Sequence, residues 1–244
     1  MSWLRMSPKG NKQICADRGY AICTSPRAGS NFLCQNLAST GVLGRPGEYF
    51  NGAARRALDD PLYPDEPADQ IRWILTKGAT PNGVYGVKLF AYQQDLIAPR
   101  LSWIQALPAL HFIYLERRDL LGQALSWSRA LQTGQYRSTQ SPGSPASYDA
   151  SLILRQLREI VRERARWSLF FARTGIEPLI ICYEDLVSCA QAQIDRIAAL
   201  IDLDGTARVD PSRVNLTVQR DETMDSWRRC FLRDHGDPNH VDPI

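Results

Sequence analysis

The chain lacks the features that would place it in a membrane or outside the cell. None of its apolar runs approaches the roughly 20 residues that a membrane-spanning helix needs, so we expect no membrane span. The first 19 residues contain no continuous apolar segment, which argues against a secretory signal. We therefore expect neither a membrane-spanning protein nor a secreted one.

Patterns typical of metal sites and disulfide frameworks are also missing. The six cysteines include no Cys-x-x-Cys pair, and the three histidines are not spaced with them as zinc ligands usually are. Several cysteines lie inside apolar runs, where a buried free thiol in a reducing compartment is the simplest interpretation. We therefore predict no metal cofactor.

A strong charge imbalance is absent as well. The net charge is only +3, which gives no reason to expect nucleic-acid binding, although a local basic cluster can still hold an anionic ligand. The 244 residues are enough to bury a sizeable core, and they contain no internal repeat and no clear domain boundary. We predict one domain over residues 1–244, with its core at about 20–231 and a short extension at each end.

What the chain does contain is a regular alternation of strand and helix patterns. Apolar runs rich in β-branched and aromatic residues predict strands at 20–24, 84–90, 110–115 and 178–183. Helical patterns lie at 30–40, 66–77, 94–106, 120–133, 149–174 and 188–202, with a short one near 221–233, and long loops at 43–67 and 134–147. Because the strand patterns are nearly continuously apolar, we expect an α/β, P-loop-like three-layer fold with a central parallel sheet flanked by helices.

The segment after the first predicted strand, SPRAGSN at residues 25–31, is typical of a loop that holds a phosphate. Small residues let the backbone approach a ligand, and the first N–H groups of the following helix point at an anion. Arg27 adds a charge with forked donors, and Ser30 can cap the helix or bond an oxygen. The Gly-x-x-x-x-Gly-Lys-Ser/Thr signature of ATP- and GTP-hydrolysing enzymes is absent. A plain strand-to-helix turn is the alternative interpretation.

A second candidate for anion binding follows the third predicted strand. Arg118 comes just after that strand, and Ser126 stands eight residues later on the next predicted helix. An arginine at a strand end and a hydroxyl on the following helix can converge on one anion. The alternative is that Arg117 and Arg118 are solvated and Ser126 is exposed. Together with the first loop, this element predicts a nucleotide with phosphates at two separate places.

Five stretches of the sequence resemble, in the same order, the Stf0-type bacterial sulfotransferases. They read SPRAGSNFL, TGVLGRPGEYFN, GVYGVKLFAYQ, YLERRDLLGQALSWSRALQTGQY and IICYEDL, within about residues 20–231. The resemblance implies 3′-phosphoadenosine-5′-phosphosulfate (PAPS) as donor and 3′-phosphoadenosine-5′-phosphate (PAP) as product. It implies transfer of a sulfo group to a hydroxyl of a carbohydrate, glycolipid or small-molecule acceptor, without magnesium, and a homodimer.

The resemblance also assigns residues to the two ends of this donor. Arg27 is expected to neutralise charge on the leaving phosphate. Arg118 and Ser126 are expected to bind the 3′-phosphate, which Arg220 reaches from the C-terminal segment. Backbone donors to the 5′ end are expected at Ala28, Gly29, Ser30, Asn31 and Phe32.

An acceptor hydroxyl has to lose its proton, and the resemblance implies that Glu48 takes it. Glu48 lies in the family's Pro-x-Glu-Tyr/Phe-Phe motif, whereas the three histidines are poorly placed. We expect partial burial beside Tyr49 and Phe50 to strengthen this carboxylate as a base. The alternative is a carboxylate in solvent or in an ion pair with Arg45, Arg55 or Arg56.

Three further features of the motifs bear on the site. Lys88 ends an apolar strand pattern and is counted among the catalytic residues, although it can equally extend to the surface. Glu184 and Asp185 mimic the acidic strand end that holds magnesium in ATPases, but the resemblance favours a structural role. The family pattern is usually Glu-Pro-x-Glu, and this chain has Arg-Pro-Gly-Glu at 45–48, so we expect altered acceptor contacts.

Two other functions stay open at this stage. A P-loop kinase or nucleotidase would need magnesium and a grip on a β- or γ-phosphate, which residues 25–31 do not supply. A non-catalytic nucleotide-binding protein would bind PAP without transferring a sulfo group, and its binding would not depend on Glu48.

Overall fold

A computed structural model describes residues 16–136, 143–215 and 222–242 of the chain. A sheet of four parallel strands lies at its centre, in the order β2-β1-β3-β4. The strands are β1 (Arg18–Thr24), β2 (Val84–Phe90), β3 (Leu110–Glu116) and β4 (Leu179–Cys182). The predicted central parallel sheet is confirmed, and each predicted strand is present with ends that differ by no more than two residues.

Helices connect the strands and cover the sheet. They are α1 (Ser30–Ser39), α2 (Gly52–Leu58), α3 (Pro67–Thr76), α4 (Ala91–Ile97), α5 (Trp103–Ala106), α6 (Leu120–Thr133), α7 (Ala150–Thr174), α8 (Tyr183–Ser188), α9 (Ala190–Leu200) and α10 (Glu222–His235). A short 3₁₀ helix spans Pro211–Arg213. Among the described residues, no helix is long and apolar enough to cross a bilayer.

The two faces of the sheet have separate cores, because successive strand residues point to opposite sides. On one face, Ala21 and Phe112 pack with side chains from α3, α5 and α7. On the other face, Ile22 and Ile113 pack with side chains from α1, α8 and α9. Helices on both faces of a parallel sheet make the three layers that the sequence predicts.

The structure corrects two predicted elements. The single helix predicted at 94–106 is in fact α4 and α5, separated by a turn at residues 98–102 that contains Pro99. Proline cannot donate the backbone hydrogen bond that a helix interior requires. The loop predicted at 43–67 contains α2, whose first turn is capped by the Asn51 side chain accepting from the Ala54 N–H at 3.3 Å. The second predicted loop, at 134–147, lies only partly within the described residues.

Candidate active site

A cleft of about 1390 Å³ opens at the carboxyl edge of the sheet. Each strand contributes to its lining: Arg27 follows β1, Lys88 lies near the end of β2, Arg117 follows β3 and Tyr183 follows β4. The crevice outside the strand ends, at a switch in strand order, is where such sheets bind ligands.

The loop after β1 presents the start of α1 to this cleft. Gly29 is the residue before the helix, with φ 90°, and its carbonyl accepts from the Leu33 N–H at 3.1 Å. The first residues of α1 line the cleft, so the positive end of the helix dipole faces it. Among the described residues, no side chain caps this end and no acid lies in its first turn. The prediction that Ser30 caps the helix is wrong, because Ser30 is the first helical residue. The Ala28 N–H bonds to the Ser25 carbonyl at 3.4 Å within the loop.

Two contacts fix the shape of this loop. Gln123 on α6 is fully buried, and its Nε2 donates to Ser25 Oγ at 2.8 Å and to the Pro26 carbonyl at 2.6 Å. Gly29 lies so close to the Tyr183 ring that a Cβ at this position would be 2.1 Å from Cδ2. The loop conformation therefore depends on both α6 and the start of α8.

Arg27 combines an unusual backbone with a directed side chain. Its φ of 64° is left-handed, a conformation that costs a residue with a side chain about 1–2 kcal/mol and is concentrated at functional sites. Its Nε donates to Ser126 Oγ at 3.1 Å, and its Nη1 donates to the Tyr136 carbonyl at 2.8 Å. The structure therefore brings together Arg27 and Ser126, which belong to different sequence motifs.

Arg117 supplies a second cation to the cleft. Its guanidinium lies 4.9 Å from the centre of the Tyr183 ring, and its side chain is 16% exposed. Its Nε is buried without a hydrogen-bond partner among the described residues, and the Asp119 carboxylate is 3.7 Å from its Nη2. Burial and then the charge of Arg117 lower the pKa of Arg27. Two like charges in one cleft favour an anion between them.

Arg118 has a different partner. Its Nη2 lies 2.6 Å from Asp185 Oδ1, and its side chain is 60% exposed. Arg118 is not part of the cleft lining, so the structure does not bring its guanidinium together with Ser126 as the sequence predicted. Both arginines follow the last residue of β3, and Arg117 is the one of the two that lines the cleft.

Glu184 has a structural role beside these arginines. Its carboxylate accepts from the N–H groups of Arg118 at 3.0 Å and Asp119 at 3.1 Å. Burial opposes ionisation, but hydrogen bonds from the Cys182 thiol and these amides lower the pKa of Glu184 to about 2. Glu184 is therefore an ionised anchor between α8 and α6. Within the described ranges, no group of three or more histidine, cysteine or acidic side chains is arranged to hold a metal ion.

Glu48 lines the cleft within a shell of donors. Its Oε1 is 2.7 Å from Lys88 Nζ, and its Oε2 accepts from Asn51 Nδ2 at 3.0 Å and from Gln93 Nε2 at 3.3 Å. Burial raises the pKa of this carboxyl, but the charge of Lys88 and these hydrogen bonds outweigh it, and the net pKa is below the ordinary value. The expectation that burial strengthens Glu48 as a base is therefore wrong while this ion pair is formed.

Lys88 is buried in the cleft wall, and the alternative of a surface lysine is wrong. Its side chain is only 4% exposed, and its Nζ also donates to Asn31 Oδ1 at 2.8 Å. The register of β1 and β2 pairs Lys88 with Ile22, on the face of the sheet that α1 covers. Lys88 consequently connects Glu48 to the first turn of α1.

The three arginines close to Glu48 in the sequence have other partners. These pairs are Arg45 with the Ala79 carbonyl, Arg55 with Asp59 and Arg56 with Asp65. The alternative in which one of them holds Glu48 is therefore wrong. Arg45, which replaces the first carboxylate of the family pattern, does not line the cleft.

The C-terminal segment reaches the cleft through a residue that the sequence analysis missed. Arg220 lies outside the described residues. Arg228 on α10 lines the cleft and donates to Asp119 Oδ2 at 2.6 Å, the carboxylate that also caps α6. Asn51 and Gln93 were missed as well, because their contacts with Glu48 arise only in the folded chain and no local pattern marks them.

The chain is similar to a known protein family and to individual proteins of known function. The profile of the family described as Stf0 sulphotransferase matches residues 19–234. Trehalose 2-sulfotransferase from Mycobacterium tuberculosis (strain Erdman) is 30% identical, over 87% of this chain and 95% of its own length. Trehalose 2-sulfotransferase from Mycolicibacterium smegmatis is 28% identical, over 88% of this chain and 94% of its own length. A solved sulfotransferase from Alicyclobacillus acidocaldarius superposes with a TM-score of 0.52 at 14% identity, over 91% of this chain and 94% of that one, which supports the fold alone.

Proposed function

This chain belongs to the Stf0 sulphotransferase family and is a sulfotransferase, and from that premise we propose that PAPS is its sulfo donor. The proposed acceptor is a hydroxyl of a carbohydrate, glycolipid or small molecule. The family and enzyme class predicted from the motifs are confirmed, in preference to a kinase or a non-catalytic nucleotide-binding protein. One observation carries the proposal: the start of α1, with Arg27 and Arg117 beside it, lies in the same cleft as Glu48.

The start of α1 is the proposed grip for the 5′-phosphosulfate. The N–H groups of Ser30, Asn31 and Phe32 belong to the first turn, where a helix offers them no carbonyl partner. All three residues line the cleft. A phosphosulfate has no β- or γ-phosphate. A short loop at a helix start can therefore bind it without the lysine that an ATP-binding loop supplies. In this arrangement, Arg27 neutralises charge that develops on the leaving phosphate.

Ser126 and two arginines form the proposed grip for the 3′-phosphate. Ser126 Oγ accepts from Arg27, so its own hydroxyl proton is available to an anionic oxygen. Arg117 already lines the cleft, and its Nε has no hydrogen-bond partner among the residues that the structure describes. The Arg118 guanidinium binds the same phosphate after it leaves Asp185. Breaking this ion pair costs little free energy, because the pair is exposed. The contribution of Arg220 stays a prediction.

Glu48 is the proposed general base. It takes the proton of the acceptor hydroxyl as the new O–S bond forms and the S–O bond to the phosphate breaks, with PAP as the leaving group. Both curated relatives are named trehalose 2-sulfotransferases, which supports a carbohydrate acceptor. Because Arg45 lies outside the cleft, we propose that contacts to that acceptor differ from those of members with the usual glutamate.

A cytoplasmic location and a homodimer complete the proposal. The described cysteines are free thiols, as expected in a reducing compartment: Cys23, Cys34, Cys182, Cys189 and Cys230. The homodimer is supported by the motif resemblance.

Incubation with labelled PAPS and trehalose tests this function. We expect release of PAP and a sulfated sugar by mass spectrometry, with rates unchanged by EDTA because no proposed step uses a metal ion. Without an acceptor, PAP release should fall to slow hydrolysis; a panel of other sugars and glycolipids then defines the acceptor. Phosphoryl transfer from ATP that EDTA abolishes, with no PAP release, would contradict the proposal.

Alanine substitution of the two neighbouring arginines tests the 3′-phosphate grip. We expect Arg117→Ala to weaken PAP binding about 10- to 100-fold, since a hydrogen bond to a charged group contributes about 1.5–3 kcal/mol. Arg118→Ala should weaken it less, because this guanidinium has to leave Asp185 first. Calorimetry with PAP and with adenosine 5′-phosphate, which lacks the 3′-phosphate, separates this grip from the rest of the site. Equal losses for both nucleotides would contradict the assignment.

A further inference from the structure

Lys88 contacts the proposed base and the proposed donor loop at the same time. Its Nζ is 2.7 Å from Glu48 Oε1 and 2.8 Å from Asn31 Oδ1, and it lies 5.5 Å from the centre of the Phe90 ring. The side chain is 4% exposed, so little water screens its charge from nearby anions. An ammonium group with three donors can exchange one anionic partner for another over a short distance.

Lys88 is also the charged neighbour that controls Glu48. Two other titratable groups lie close enough to sense the charge of this carboxylate, which contributes to raising the pKa of Cys34 on α1 and of Tyr92 on α4. Chiefly through burial, the pKa of Cys34 is raised to about 11 and that of Tyr92 to about 12, so both are neutral at physiological pH. If Lys88 moved away, burial would act on Glu48 without an opposing charge, and the carboxylate would bind a proton more tightly.

We propose that Lys88 exchanges its partner during the reaction, from Glu48 to the sulfo group of the donor, so that Glu48 becomes an effective base only when the donor is in place. This inference rests on the proposed function. The start of α1 holds the phosphosulfate beside Asn31, which Lys88 already contacts. The transferred proton goes from the acceptor hydroxyl to Glu48, while the Lys88 ammonium group stabilises charge on the sulfo oxygens. Deprotonation of the acceptor is thereby coupled to donor binding.

Carbon-13 NMR titration of the Glu48 carboxyl tests the exchange without an acceptor. Protein labelled at glutamate Cδ is titrated alone, with PAP and with PAPS, and Glu48→Gln assigns the signal. The 5′ ends of the two nucleotides have similar total charge, so a difference between them reports the position of the sulfo group. We expect PAPS to raise the proton affinity of Glu48 about tenfold more than PAP does.

Two lysine variants show whether Lys88 is responsible. In Lys88→Met, Glu48 should bind its proton more tightly before any ligand is added, and PAP and PAPS should then have nearly equal effects. Lys77→Met removes an exposed lysine and should behave like the unsubstituted protein. If Lys88→Met does not fold, the comparison of PAP with PAPS in the unsubstituted protein still shows whether the partner exchange occurs.

The outcomes separate this inference from the function on which it rests. Calorimetry on the same samples establishes whether PAP binds. Binding of PAP together with equal effects of PAP and PAPS on Glu48 would overturn the exchange and leave the proposed function intact. Failure of both nucleotides to bind would overturn the proposed function and the exchange with it.

Discussion

Replacing Glu48 by glutamine is expected to lower kcat by about 10²- to 10⁴-fold, the usual contribution of a general base. Glutamine has nearly the same shape but cannot take the acceptor proton. PAP affinity should change little, because the proposed nucleotide contacts are made by the start of α1 and by the arginines. Loss of kcat and of kcat/KM by the same factor would place the effect in the transition state. Undiminished turnover would remove Glu48 as the base.

A stability control is needed for this variant, because Lys88 would keep its buried charge without a carboxylate partner. We therefore expect a lower melting temperature for Glu48→Gln, and kcat has to be measured well below it. Glu177→Gln makes the same chemical change at an exposed position and should leave both turnover and melting temperature unchanged. PAP affinity of Glu48→Gln close to that of the unsubstituted protein would show that the cleft is intact.

Much of the fold follows from local patterns in the sequence. β2 is predicted with its observed ends because all seven of its residues are buried, and all but Lys88 form the nearly continuous apolar run that is typical of a buried parallel strand. The bounds of α6 are also as predicted, since Asp119 caps its start and Gly134, with φ 69°, ends it. α2 was missed because it begins with glycine inside a segment rich in loop-forming residues.

The candidate site is less accessible to sequence reasoning. The motifs direct attention to the start of α1 and to Glu48, but they do not show that Lys88 forms an ion pair with Glu48 or that Gln93 donates to it. The choice between Arg117 and Arg118 depends on the direction of two adjacent side chains at a strand end. Such details depend on contacts between segments distant in sequence, which local pattern does not specify.

Replacing Gly29 by alanine is expected to weaken PAP binding by about 100-fold or more. The new Cβ would lie 2.1 Å from Tyr183 Cδ2, and φ 90° is a strained backbone conformation for alanine. The Tyr183 ring supports Arg117, whose guanidinium is 4.9 Å from its centre. Relief of the clash therefore displaces both the proposed amide cradle and the arginine proposed to bind the 3′-phosphate, and each lost charged hydrogen bond is worth about 1.5–3 kcal/mol.

Gly41 provides a matched control for this prediction, because it also has a positive φ, of 71°, but a Cβ there would meet none of the described atoms within 4 Å. Gly41→Ala should therefore cost about 1–2 kcal/mol of folding free energy through backbone strain alone and leave PAP affinity unchanged. Chemical denaturation and calorimetry on both variants separate strain from the clash with Tyr183. Retained PAP affinity in Gly29→Ala, or an equal loss in Gly41→Ala, would show that contact between Gly29 and Tyr183 does not shape the nucleotide site.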